Sequence, residues 1–269
     1  MHAARRTARV VLVSFPGLAR VGRARLGALV TIALCAAFAL PAQANDLAAF
    51  LERTEKMAAY PHPVRADIRL VHGDFADDAV VIIDPSAKRQ FLALKSSGWR
   101  ALMPLDWSAG KAADTTTGTK VATFGSDQPL PRTDLRAMDF FPFWEGDYDK
   151  AFISDTNRLE KTVTLYARPG LPYVLFVITF DKEKLVPLAM KFYKDTVNNL
   201  VRLRRDTDIV MVGARPRARH IEIQDFAENS TTTLDLAWRT LDSVPAGLTD
   251  DAAFQKADID WPTEPIATR

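Results

Sequence analysis

Two groups of carboxylates lie close enough along the chain to work in pairs: Asp139, Glu145 and Asp147, and further on Asp225, Glu228 and Asp235. Paired carboxyl groups serve as general acid and base, as glycoside hydrolysis requires. Turns gather acids at such spacings for ordinary reasons, and no other pattern here supports hydrolysis. His62, His72 and His220 are isolated, with no H-x-x-x-H and no paired cysteine, so no metal site is read from them. The chain also lacks G-x-S-x-G, G-x-G-x-x-G and G-x-x-x-x-G-K-S/T, which leaves no nucleophile elbow and no phosphate cradle. Neither an enzyme nor a cofactor is expected.

Apolar chemistry is better represented. Phe140, Phe141, Phe143 and Trp144 crowd between Asp139 and Glu145, beside a long irregular stretch. Side chains of this type bury roughly 150–250 Å² each, so four together must cover something. The plain expectation is core beneath a short helix; the functional one is an apolar lid over a cavity.

The elements that would hold these residues are mostly strands. Leu47, Phe50, Leu51 and Thr54 recur on one helical face after Asn45 or Asp46, and Tyr60-Pro61-His62-Pro63 stops that helix. From Val64 onward the period falls to two, with turns at Gly73–Asp78, Asp84-Pro85-Ser86 and Lys95–Gly98. Residues 104–132 break the pattern, and Thr133 or Asp134 can cap a short helix over Leu135–Phe141. Strands return through 161–239, with Val201 and Leu203 on one face and Arg202 and Arg204 outward, and Thr249 or Asp250 can cap a last short helix that buries Phe254. The reading is α+β, mainly antiparallel β, with about ten or eleven strands. Successive strands twist by roughly 20–25°, so the sheet is expected to curl into an unclosed barrel with helices as its lid.

The N-terminus is read as a leader. Arg5, Arg6, Arg9, Arg20, Arg23 and Arg25 precede an apolar run, Leu26–Leu40, that ends at Pro41-Ala42-Gln43-Ala44. That pattern predicts a signal peptide over 1–44, cleavage after Ala44 and a single domain over 45–269. The run is shorter than the ~20 residues a bilayer core needs, and Cys35 within it is not placed for lipidation. Removing 1–44 leaves 29 basic against 33 acidic residues, a net charge near −4. A mildly acidic chain has no electrostatic case for nucleic acid. Arg202, Arg204 and Arg205, with Arg215, Arg217 and Arg219, are read as solvated strand and turn positions.

Several stretches resemble the outer-membrane lipoprotein-sorting proteins, the LolA/LolB-like group of periplasmic carriers, in a poorly characterised subgroup. Leu130-Pro131-Arg132-Thr133-Asp134-Leu135 through Asp139-Phe140 is similar to the group's short helix segment. Tyr173–Phe180, then Val186-Pro187-Leu188 and Lys191-Phe192-Tyr193-Lys194-Asp195, resembles its adjacent hairpin. His220–Asp225 with Ser230–Leu234, and Val244-Pro245 through Phe254, resemble its last strand pair and closing element. Asn198-Asn199 departs from the group's usual turn, and no residue is matched to a lid-locking arginine.

The resemblance implies an apolar cavity for acyl chains and a non-catalytic periplasmic carrier of lipids or acylated clients, with an envelope transporter or outer-membrane receptor as partner. Alternation then selects Trp99, Leu175, Val177, Leu188, Met190, Phe192 and Trp238 as lining, with Phe140, Phe141, Phe143 and Trp144 as lid. A slip of one residue would turn that lining to the other face. The other reading is an accessory subunit of an envelope export system that binds a protein partner on a filled barrel.

Overall fold

The computed structural model describes residues 46–263, apart from 117, 119, 120 and 142–144, together with 266. The segment 1–44 expected to be a leader, with Cys35, and the lid candidates Phe143 and Trp144 lie outside the described residues. Helix α1 covers 46–58. It buries Leu47, Phe50, Leu51 and Thr54, the stripe its spacing predicts.

A first meander runs through β1 (Val64–His72), β2 (Phe75–Asp84), β3 (Arg89–Leu94), β4 (Trp99–Pro104), β5 (Gly110–Asp114) and β6 (Ala122–Phe124). A second runs through β7 (Tyr148–Thr156), β8 (Glu160–Ala167), β9 (Leu175–Asp181), β10 (Pro187–Tyr193), β11 (Leu200–Val212), β12 (Arg215–Asp225) and β13 (Ser230–Thr240). Every pairing is antiparallel, and β1 pairs with β13 from Val64↔Thr240 to His72↔Thr232, joining both meanders into one sheet. The sheet of thirteen strands ends at β6 and β7 and does not close.

Thirteen strands replace the expected ten or eleven, because β5, β6 and β7 are additions while two expected pieces merge into one. The small residues of β5 hide a strand that needs Gly110, where an added Cβ would lie 2.4 Å from the Leu102 carbonyl oxygen. Strand β7 is an edge whose side chains are mostly exposed, so alternation is faint. The two pieces expected over 201–204 and 209–212 form one strand, β11, because Asp206 is buried against Arg204 instead of marking a turn.

The connection from β6 to β7 spans the whole sheet, from one edge to the other, across the inner face. Leu130, Leu135, Ala137, Met138, Phe140 and Phe141 of this strap join α1 and the inner-facing strand residues in the larger core. The short helix expected there is a single 3-10 turn, Ala137–Phe140. Asp134 does not cap it; that carboxylate takes hydrogen bonds from Ser230 and Thr232 of β13. Beyond β13 the chain folds back over the outer face of β2–β5, where Leu248 and Phe254 pack on Val80, Ile82, Phe91 and Leu102. Asp250 accepts the amides of Ala252 and Ala253 and Phe254 is buried as expected, but the segment forms successive turns and not the short helix expected there. Among the described residues no helix is long and apolar enough to cross a membrane.

Candidate functional site

Alternation along β9 sends Phe176, Ile178 and Phe180 to the inner face. The same face collects Met190 and Phe192 of β10, Ala218 and Ile221 of β12 and Leu165 of β8. Helix α1 lies over these strands, and between them is a cavity of about 100 Å³. Leu51, Met57 and Ala58 of α1, Phe140 and Phe141 of the strap, and Ile178, Met190, Ile221 and Trp238 of the sheet contribute apolar wall. Leu185, Pro187 and Pro216 line it at the end of the sheet that carries the β9–β10 and β11–β12 turns, and we take that end as its mouth. Leu185 holds a left-handed φ of 55° there, a conformation that costs roughly 1–2 kcal/mol for a side chain with a Cβ.

The lining expected from sequence divides. Met190 and Trp238 face the cavity. Phe192 is on the same inner face but packs beside it, its ring 5.2 Å from Tyr173 and 5.7 Å from Phe176. Trp99 is inner-facing in the other meander, edge-on to Phe124 at 5.1 Å. Leu175 and Val177 belong on the outer face, because Phe176 and Ile178 take the inner one. Leu188 is displaced by the bulge between Pro187 and Ala189 and has no partner in either ladder. Of the lid candidates, Phe140 and Phe141 are buried core within the strap; Tyr60 donates to the Phe140 carbonyl at 3.2 Å, and Trp107 stands edge-on to Phe141 at 6.0 Å.

Charged groups tie the strap down. Arg202 is fully buried and inward, and its guanidinium forks onto both oxygens of Asp139 at 2.6 Å while also reaching the Asp134 carbonyl at 2.9 Å. Burial opposes that charge, but Asp139 outweighs it, so Arg202 is held above its ordinary pKa. Arg204, one alternation step along β11, forks onto Asp206 at 2.6 Å and donates to the Asp139 carbonyl. Arg136 of the strap reaches Asp225 at 2.8 Å and the Tyr173 hydroxyl at 2.6 Å. The outward, solvated reading of Arg202 and Arg204 is thus inverted: Arg202 and Arg204 pair with Phe192 and Met190 of β10 and share their inner face. The signal that could have found them is the later pairing chemistry, two arginines at strand spacing with Asp139 and Asp206 to neutralise them.

Arg217 is also buried, against the solvated reading. It donates to the carbonyls of Met57, Ala58 and Ala59 at 3.1, 3.0 and 2.9 Å, and lies over the Tyr60 ring at 4.5 Å. A cation on the last carbonyls of a helix satisfies orphan acceptors and complements the dipole. Burial pulls Arg217 below its ordinary pKa, and the same burial raises Tyr60. At the other end of α1, Lys161 meets Asp46 at 3.1 Å and lies over Phe50 at 4.4 Å.

Of the carboxylates singled out in the sequence, Asp139, Asp225 and Asp235 have structural partners among the described residues. Asp139 and Asp225 serve the arginines, and Asp235 faces His220 Nδ1 at 2.8 Å. Among the described residues no group of three His, Cys, Asp or Glu side chains is placed to hold a metal ion.

No family profile and no curated protein matches the sequence. Solved structures do. A DUF1329 family protein from Desulfovibrio piger superposes with a TM-score of 0.63 at 12% identity, covering 76% of this chain and 95% of its own. A putative outer membrane lipoprotein-sorting protein domain from Vibrio parahaemolyticus gives 0.62 at 9% identity, covering 77% and 97%. A LolA superfamily protein from Nitrosomonas europaea gives 0.58 at 15% identity, covering 76% and 97%. Identities this low speak for architecture alone, and on that ground the chain has a LolA-like fold.

Proposed function

We propose that this chain is a non-catalytic periplasmic carrier of lipids or acylated clients in outer-membrane sorting, exported by cleavage after Ala44. The observation that carries the reading is the apolar space between α1 and the inner face of β8–β13. Its likeness in fold to a lipoprotein-sorting domain and a LolA superfamily protein supports the same reading.

At about 100 Å³ the cavity is far below the roughly 300–1,000 Å³ of ordinary ligand sites, so the carrier reading requires it to open. Opening must displace either the strap or α1. Parting Arg202 from Asp139 would leave buried charge unpaired, and losing one partner of such a pair costs about 3–5 kcal/mol. Helix α1 is held instead by Leu47, Phe50 and Leu51 and by the cap from Arg217. Acyl methylenes, each contributing about 0.8 kcal/mol on burial, replace such apolar contacts like for like. The carrier therefore loads by lifting α1 while the strap stays as floor, and a transporter or receptor that binds α1 would set the direction of transfer.

The test is a titration with a fluorescent long-chain fatty acid. Ala218→Leu adds bulk to the cavity wall and should abolish or sharply weaken uptake while leaving the fold intact; Val177→Ala, on the outer face, should leave uptake unchanged. Equal uptake by wild type and Ala218→Leu would place the ligand elsewhere and defeat the proposal.

A further inference from the structure

The antiparallel order puts the turns 157–159, 182–186 and 213–215 side by side at the end of the sheet where the cavity has its mouth. The first two are bonded directly, Lys182 N–H to the Leu159 carbonyl at 2.8 Å. The third tips an arm of β11 and β12 that pairs from Ile209↔Ala218 to Val212↔Arg215, beyond Ala189↔Arg205, where the β10–β11 ladder starts. Its Arg215 touches the Met57 sulfur of α1 at 3.2 Å, so the arm also borders the mouth.

These turns carry Arg158, Lys182, Lys184 and Arg215 against Glu183 as their one acid. Arg158 and Lys184 are exposed, Lys182 and Arg215 half-buried. They are set among Leu159, 69% exposed, and Met211, 61% exposed, the two most exposed large apolar side chains among the described residues. The far-end turns 73–74, 95–98, 168–174, 194–199 and 226–229 are balanced instead, with Asp74, Asp195 and Glu228 against Lys95, Arg168 and Lys194. The three mouth-end turns of the second meander thus form a basic patch beside residues that line the cavity. Cations beside protruding apolar side chains fit an anionic membrane surface, where each Lys or Arg is attracted by headgroup charge and the apolar tips enter the interface.

We propose that this end docks on an anionic lipid surface, with Arg158, Lys182, Lys184 and Arg215 meeting headgroups and Leu159 and Met211 inserting between them. The inference rests on the carrier reading, since docking there would face the mouth of the cavity toward the bilayer.

Co-sedimentation of the chain lacking 1–44 with lipid vesicles tests it. Vesicles of phosphatidylglycerol and phosphatidylethanolamine should pull the protein down, less so as salt rises, and vesicles of phosphatidylcholine alone should not. The double variant Arg158→Gln/Lys184→Gln should bind at least about tenfold more weakly. Leu159→Ser/Met211→Ser should lose binding that salt does not restore. Lys95→Gln/Lys194→Gln, at the far end, should bind as wild type. Binding that ignores headgroup charge, or survives both mouth-end variants, would overturn the proposal, as would no binding at all, including the case in which only an acidic protein partner is captured. Fatty-acid uptake measured on the same variants separates the two readings: loss of docking with uptake intact removes the docking site alone, and docking with no uptake in wild type removes the carrier.

Discussion

At the scale of single residues, the strap is anchored by the fully buried pair of Arg202 and Asp139. Arg202→Ala should destabilise the chain by about 3–5 kcal/mol in urea unfolding, since Asp139 would be left buried without its partner. The double change Arg202→Met/Asp139→Leu should recover most of that loss, because replacing a buried pair by apolar groups is often neutral. Asp84 makes a separate, pH-linked contribution. Burial pushes its carboxyl up, but the Ser86 hydroxyl and the amides of Ala87 and Ser86 outweigh burial and hold it below its ordinary value. A depressed folded-state pKa gives stability that is present above the unfolded value of roughly 3.9 and is lost as pH falls through the folded one. Wild type should therefore exceed Asp84→Ala in stability at neutral pH, and the gap should narrow during acid titration followed by circular dichroism. Widening of the gap toward acid would contradict this.

Among the elements, α1 is the part assigned to move. Arg217→Ala removes three hydrogen bonds to its last carbonyls and the contact over Tyr60. Hydrogen exchange over 46–58 should accelerate while β11–β13 stay protected, and fatty-acid uptake should quicken. Unchanged exchange in α1 would show that the cap does not hold it. This helix was legible in the sequence, because Leu47, Phe50, Leu51 and Thr54 keep one stripe. The hairpins around Asp84 and Gly98 were legible too, from turn chemistry. Strands β5, β6 and β7 were not, since small residues and an exposed edge carry little alternation. Arg202 misled for a different reason: a charged side chain reads as solvated until its buried partner, Asp139, 63 positions away, is brought beside it by the strap.

For the whole molecule, thirteen antiparallel strands make a curved sheet whose inner face is covered by α1 and the strap, and whose first-meander outer face is covered by the C-terminal segment. Strand twist and the long run of hairpins made that curvature readable from sequence. What filled the hollow was not readable, because the strap crosses it through 130–141, a stretch with no period of its own. Of the seven expected lining residues only Met190 and Trp238 border the cavity, because the face a strand residue takes is fixed by its neighbours, and a bulge at Leu188 or a step at Leu175 reverses it. The account stands on that hollow accepting acyl chains once α1 lifts. Mass spectrometry of an organic extract from the protein isolated out of its own envelope tests this most directly. Acyl lipid in stoichiometric amount, much reduced from Ala218→Leu, is the expected result; an extract with no acyl lipid would contradict it.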